Sequence, residues 1–152
     1  MATVHRTIAL SVPAVFTALT TPETHPHWLV GCRDIRSVDP DWPAVGSAFY
    51  HRVGLGGPVT VADNTKVLEQ VEDTVLSLEV RARPFGRGRA TFTLAAGVEP
   101  DTTVVELDEV PIGLLSRTKP LADPLISRRN NRSLSNLAAY LERGESQADA
   151  PA

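Results

Sequence analysis

Polar and apolar residues alternate with a period of two over most of residues 33–110, after which the period lengthens. Before that stretch, residues 3–10 are rich in Val, Thr and Ile and predict a strand. Ser11-Val12-Pro13 reads as a helix start, because proline in the first turn gives up an N–H that has no intrahelical acceptor. Val15, Phe16 and Leu19 give that short helix one apolar face. After Pro22 a second short helix is predicted to carry Trp28, Leu29 and Val30 and to stop at Gly31. A strand around Ile35 and Val38 and a loop at Pro40-Asp41-Trp42-Pro43 follow, then residues 47–53, where Phe49, His51 and Val53 share one face. Gly54-Leu55-Gly56-Gly57-Pro58 predicts a turn into a long strand over 59–71, with a bulge near Asp63-Asn64. In 74–83, Leu76, Leu78, Val80 and Ala82 face one way and Ser77, Glu79, Arg81 and Arg83 the other. A turn over 84–88, a strand over 89–96 with Ala90, Phe92 and Leu94 inward, and a strand over 102–110 complete an antiparallel meander.

Beyond Pro111 the spacing is helical. Ile126, Asn130, Leu134, Leu137 and Leu141 recur at intervals of four, four, three and four, one stripe of a helix. Pro120 and Pro124 place its regular start near 124 and Gly144 its stop, leaving 145–152 as a flexible tail. The plan is α+β: a strand, two short helices, a curved antiparallel sheet of about six or seven strands and a long C-terminal helix, one domain over 1–144. A single helix is too narrow to cover a strongly bent sheet of that width. A pocket is therefore expected between sheet and helix, closed at one end by the short helices near Trp28.

Composition narrows the function. With 152 residues, 42% of them hydrophobic, the chain can bury one ordinary core. A net charge of −3 argues against a partner tracked through its phosphates, so no nucleic acid is expected. The single cysteine, Cys32, has no partner for an internal disulfide. No apolar run approaches the ~20 residues of a membrane span. Uncharged residues 7–22 are broken by Ser11, Pro13 and Thr17 and read as strand and helix rather than as a leader. The expectation is a cytoplasmic protein, a monomer or weak homodimer, without stable membrane insertion.

Two inward positions carry chemistry. The alternation that turns Phe49 and Val53 inward also turns His51 inward, and the one that buries Val105 and Leu107 does the same for Glu109. Glu106 and Asp108 then point to solvent, where Arg89 on the preceding strand can pair with them. Asn130 interrupts an apolar stripe and needs a partner there, unless a rotated helix register leaves it at the edge. His25, His27 and Cys32 are metal-type ligands, yet nothing nearby completes a set, and no metal or cofactor is implied. Gly54-Leu55-Gly56-Gly57 lacks the Lys and helix start of a phosphate loop. Arg128, Arg129 and Arg132 form the one basic cluster and read as an exposed face.

An ordered set of segments resembles a known group: residues 12–19 (VPAVFTAL), Pro26-His27-Trp28, residues 65–69 (TKVLE), 86–94 (GRGRATFTL), 102–109 (TTVVELDE) and 128–134 (RRNNRSL). Over roughly residues 3–143 the chain resembles the START-like superfamily, which includes the Bet v 1 allergens and the polyketide cyclase/dehydrase and lipid-transport proteins. The resemblance implies a helix-grip fold and an internal site for a hydrophobic small molecule such as a lipid or polyketide. On that reading Trp28, Phe49, Leu78, Val80, Phe92 and Leu94 line or support the site from the sheet side. Leu107, Ile126, Leu134 and Leu137 do so from the last strand and helix, and His51, Glu109 and Asn130 set its polarity. The resemblance also permits an aromatase, cyclase or dehydratase, for which His51 and Glu109 are the candidate acid–base pair. A third reading is an interaction module using the arginine cluster or the loop around Trp42.

Overall fold

The structure, a computed structural model, describes residues 2–81, 86–113 and 119–148, with side chains in the last segment described over 123–144. Its elements are β1 (Ala2–Ile8), α1 (Val12–Leu19), a 3-10 turn (Pro22–Thr24), α2 (His25–Trp28), β2 (Cys32–Val38), β3 (Ala48–Gly56), β4 (Val59–Val71), β5 (Val75–Arg81), β6 (Arg87–Ala96), β7 (Thr103–Pro111) and α3 (Lys119–Ala148). The strands form one antiparallel sheet in the order β1-β7-β6-β5-β4-β3-β2.

β1 and β2 follow each other in sequence but occupy opposite edges of the sheet. The chain between them must cross from edge to edge, and α1, the 3-10 turn and α2 make that crossing over the concave side. The register is set by alternation. β7 buries Thr103, Val105, Leu107 and Glu109 and leaves the residues between them half-exposed, with Leu107 opposite Phe92 and Val105 opposite Leu94. The helix α3 lies over this face. Its C-terminal half presses Leu134, Leu137 and Ala138 onto a core of Val4, Ile8, Val15, Phe16, Leu19 and Val105. Its N-terminal half lies over the part of the sheet that the core does not fill.

The sequence-based expectations differ from the structure at four places. The bulge in β4 falls between Val67 and Glu69, in the pairing with β5, and not at Asp63-Asn64, which pair regularly with β3. β3 continues through Gly54, Leu55 and Gly56, so the hairpin turn is confined to Gly57-Pro58, where Gly57 takes φ +56°. α2 ends at Trp28, leaving Leu29 and Val30 outside it. Finally, α3 starts at Lys119 and runs through both Pro124 and Gly144 to Ala148. Pro124 lies inside the helix, just past its first turn, and forfeits the bond that an N–H there would make to the Pro120 carbonyl. The expected tail therefore begins later than 145. Ala82, Arg83, the start of the 84–88 turn and residues 149–152 lie outside the described residues.

Candidate functional site

Between the sheet and the N-terminal half of α3 lies a cavity of about 320 Å³. Its floor is Leu78 of β5, Ala90 and Phe92 of β6 and Leu107 of β7; Trp28 and Leu29 close one side, Phe49 and Val53 of β3 another. The exposed members of the wall, Gly31, Leu55 and Arg81, mark its mouth. A chain with two Trp, two Tyr and four Phe places three of those rings, Trp28, Phe49 and Phe92, on this wall.

At one wall Glu109, 2% exposed, is the centre of a three-residue cluster. Arg129 Nη2 donates to both its oxygens, at 2.7 and 2.6 Å, and Asn130 Nδ2 donates to Oε2 at 2.9 Å. Gly88 lies beside this carboxylate: a Cβ there would meet the Val110 carbonyl oxygen at 3.3 Å and Glu109 Oε1 at 3.4 Å. The amide that interrupts the apolar stripe of α3 thus has its partner, and a buried charge is paired as burial requires.

At the opposite wall, His51 Nε2 is 3.1 Å from Thr65 Oγ1. Asp63, directly across from His51 in the β3–β4 register, accepts from Arg81 Nε at 2.7 Å. Burial holds the His51 pKa below that of a free imidazole, and the Asp63 charge opposes the shift. His25 lies beside them. Its Nε2 is 2.9 Å from the Leu19 carbonyl oxygen, and its ring meets Trp28 and Phe49 edge-on at 4.9 and 5.0 Å. Burial lowers its pKa to about 4, so it is neutral at physiological pH. The same desolvation pushes the Cys32 thiol up to about 12, which removes it as a nucleophile.

Of the residues singled out in the sequence, Trp28, Phe49, His51, Leu78, Val80, Phe92, Leu107, Glu109 and Asn130 line the cavity together. Three do not. Leu94, two positions beyond Phe92, and Leu134, one turn beyond Asn130, belong to the solid core, as Leu137 does; Ile126 packs on Ala2 of β1. His51 and Glu109 share the cavity without touching. β4, β5 and β6 separate their strands, about 19 Å along the sheet at the usual strand spacing. Both Glu109 oxygens are also already occupied.

Two outward expectations change as well. Glu106 and Asp108 do face outward, but their partners come from β1: His5 Nε2 at 3.1 Å and Thr3 Oγ1 at 2.7 Å, in place of Arg89. Arg129 is not part of an exposed basic face, because it turns in to Glu109. Its place was legible: it stands three residues after Ile126 and four before Ser133, within the buried stripe. From the sequence, His25 reads only as a metal-type ligand. His25 and His27 part company in the structure, His25 buried and His27 exposed and stacked on Tyr140 at 5.1 Å.

A long helix gripped by a curved seven-stranded sheet over a lined cavity defines a helix-grip protein with an internal cavity. Residues 1–142 match the family model described as "Polyketide cyclase / dehydrase and lipid transport", and the chain belongs to that family. The fold is shared with protein MLL2253 from Mesorhizobium loti, 23% identical over 93% of this chain and 96% of that one, at a TM-score of 0.69. Protein NE0264 from Nitrosomonas europaea is 18% identical over 93% and 94%, at 0.71. The di-domain ARO/CYC StfQ from the steffimycin biosynthetic pathway is 14% identical over 98% of this chain and 47% of its own, at 0.69. Comparison with curated proteins finds no match. Among the described residues no helix is long and apolar enough to cross a membrane.

Proposed function

We propose that the protein binds a hydrophobic small molecule in the cavity between the sheet and the N-terminal half of α3. One observation carries this reading: an apolar-walled space of about 320 Å³ is left beside a core that is otherwise closely packed. Removing some 300 Å² of apolar ligand surface from water at ~25 cal/mol/Å² contributes about 7 kcal/mol before the costs of immobilisation. The family's description, which includes lipid transport, supports the same class of cargo. A cyclase-type activity in this cavity would draw on His51, an imidazole on the wall that is not committed to an ion pair as Glu109 is. The commitment of Glu109 to Arg129 and Asn130 favours holding a ligand over acid–base chemistry.

The test is a titration with N-phenyl-1-naphthylamine, an uncharged fluorophore that brightens in apolar surroundings, against the wild type and Ala90→Phe. The ring added at the cavity floor should abolish binding while leaving the protein folded. Absence of saturable binding to the wild type, or equal binding to the filled variant, would overturn the proposal.

A further inference from the structure

The polar groups on the cavity wall are unequally satisfied. The Glu109 carboxylate accepts three hydrogen bonds from Arg129 and Asn130, and Asp63 has Arg81, so these carboxylates are met. The imidazoles are not. His25 is 2% exposed and His51 6%, and in each the buried Nδ1 atom has no hydrogen-bond partner among the described residues.

For His25 the role of that atom follows from the other nitrogen. The Leu19 carbonyl only accepts, so Nε2 carries the proton and the neutral ring keeps a lone pair on Nδ1. A buried acceptor without a donor is unfavourable, and a native structure usually supplies one. His51 and the Thr65 hydroxyl stand on the same wall, and the Phe49 ring contacts both imidazoles, at 5.0 and 5.2 Å. We propose that His25 Nδ1, with His51 and Thr65 beside it, is a hydrogen-bond-accepting subsite that selects an uncharged ligand bearing a hydroxyl donor over the same skeleton as a hydrocarbon or a carboxylate.

The proposal rests on the cavity-binding reading and narrows its ligand class. Discrimination against a carboxylate has its own cause. The guanidiniums at the cavity, Arg129 and Arg81, are already paired with Glu109 and Asp63, and the neutral His25 has no charge to offer an anion. A ligand carboxylate would lose its water and gain no free cation.

A matched series separates the possibilities: naphthalene, 2-naphthol and 2-naphthoate, titrated into the wild-type protein by calorimetry. An apolar cavity of about 150 Å³ holds benzene, so the space here admits a two-ring compound. The naphthol should bind about tenfold tighter than naphthalene, and the naphthoate weakest. In His25→Phe, which keeps a ring but removes the acceptor, the ratio of the two affinities should fall to within about twofold. In the wild type, the nitrogen-15 resonance of His25 Nδ1 should move on addition of naphthol and not of naphthalene; this readout needs no variant to fold. Equal affinities for naphthol and naphthalene, a preference that survives His25→Phe, or an unmoved Nδ1 resonance would overturn the subsite and leave the cavity reading standing. Binding of none of the three would overturn both.

Discussion

At Glu109 and Arg129 the two members of one ion pair are not equally replaceable. The carboxylate is 2% exposed, whereas the arginine side chain is 30% exposed and can turn to water when its partner is gone. Glu109→Gln should therefore cost about 1–2 kcal/mol, the value of lost hydrogen bonds. Arg129→Met leaves a buried carboxylate with Asn130 as its remaining donor and should cost about 3–5 kcal/mol; urea denaturation of both variants checks the order. His25 makes a different prediction. Its folded pKa of about 4 lies below the unfolded value near 6.5, so the unfolded chain binds the extra proton between those limits. The contribution is complete above about pH 6.5 and is lost as the pH falls toward 4, some 3 kcal/mol in all. His51 shifts in the same direction, with Asp63 opposing it. The wild type should lose stability steeply over that window and His25→Phe less so, which melting temperatures measured from pH 7 to pH 4 will show.

Elements were more legible than their ends. The period-two runs located the strands because each has one face on the core, and the interval of three and four residues located α3 for the same reason. The ends depended on single residues whose local preference was overridden. Gly144 is a helix stop by composition, yet it is helical, exposed and has open space where a Cβ would go. Gly144→Ala should thus stabilise the protein by about 0.5–1 kcal/mol, as expected inside a helix; at a left-handed cap the same change would destabilise it. A lowered denaturation midpoint would contradict the longer helix. The bulge lies elsewhere than the sequence predicts for a related reason: Asp63 and Asn64 are turn-forming residues, but Asp63 is held in regular pairing by its place opposite His51 and by Arg81.

On the scale of the whole molecule, the two ends of α3 rest on different ground, and this division explains what the sequence revealed of the site. Alternation showed that His51 and Glu109 face inward, but not that four inter-strand steps separate them, since that distance depends on sheet order. A helical stripe showed that Ile126, Asn130 and Leu134 face the sheet, but not which of them meet core and which meet cavity. The C-terminal half packs Leu134, Leu137 and Ala138 into the core, while the N-terminal half is held by Ile126 and by the polar links of Arg129 and Asn130 to Glu109. Opening the N-terminal half therefore exposes less apolar surface and should require less free energy than opening the rest. Backbone amides at 127–131 should exchange with solvent deuterium at least about tenfold faster than those at 134–141, the equivalent of ~1.4 kcal/mol. In Ala90→Phe the added ring lies beneath the N-terminal half and gives it an apolar surface to rest on. The difference between the two halves should narrow there even if overall stability changes, because global unfolding affects both halves alike. Uniform exchange along α3 in the wild type would mean that the helix opens as one unit and that the cavity does not weaken its cover.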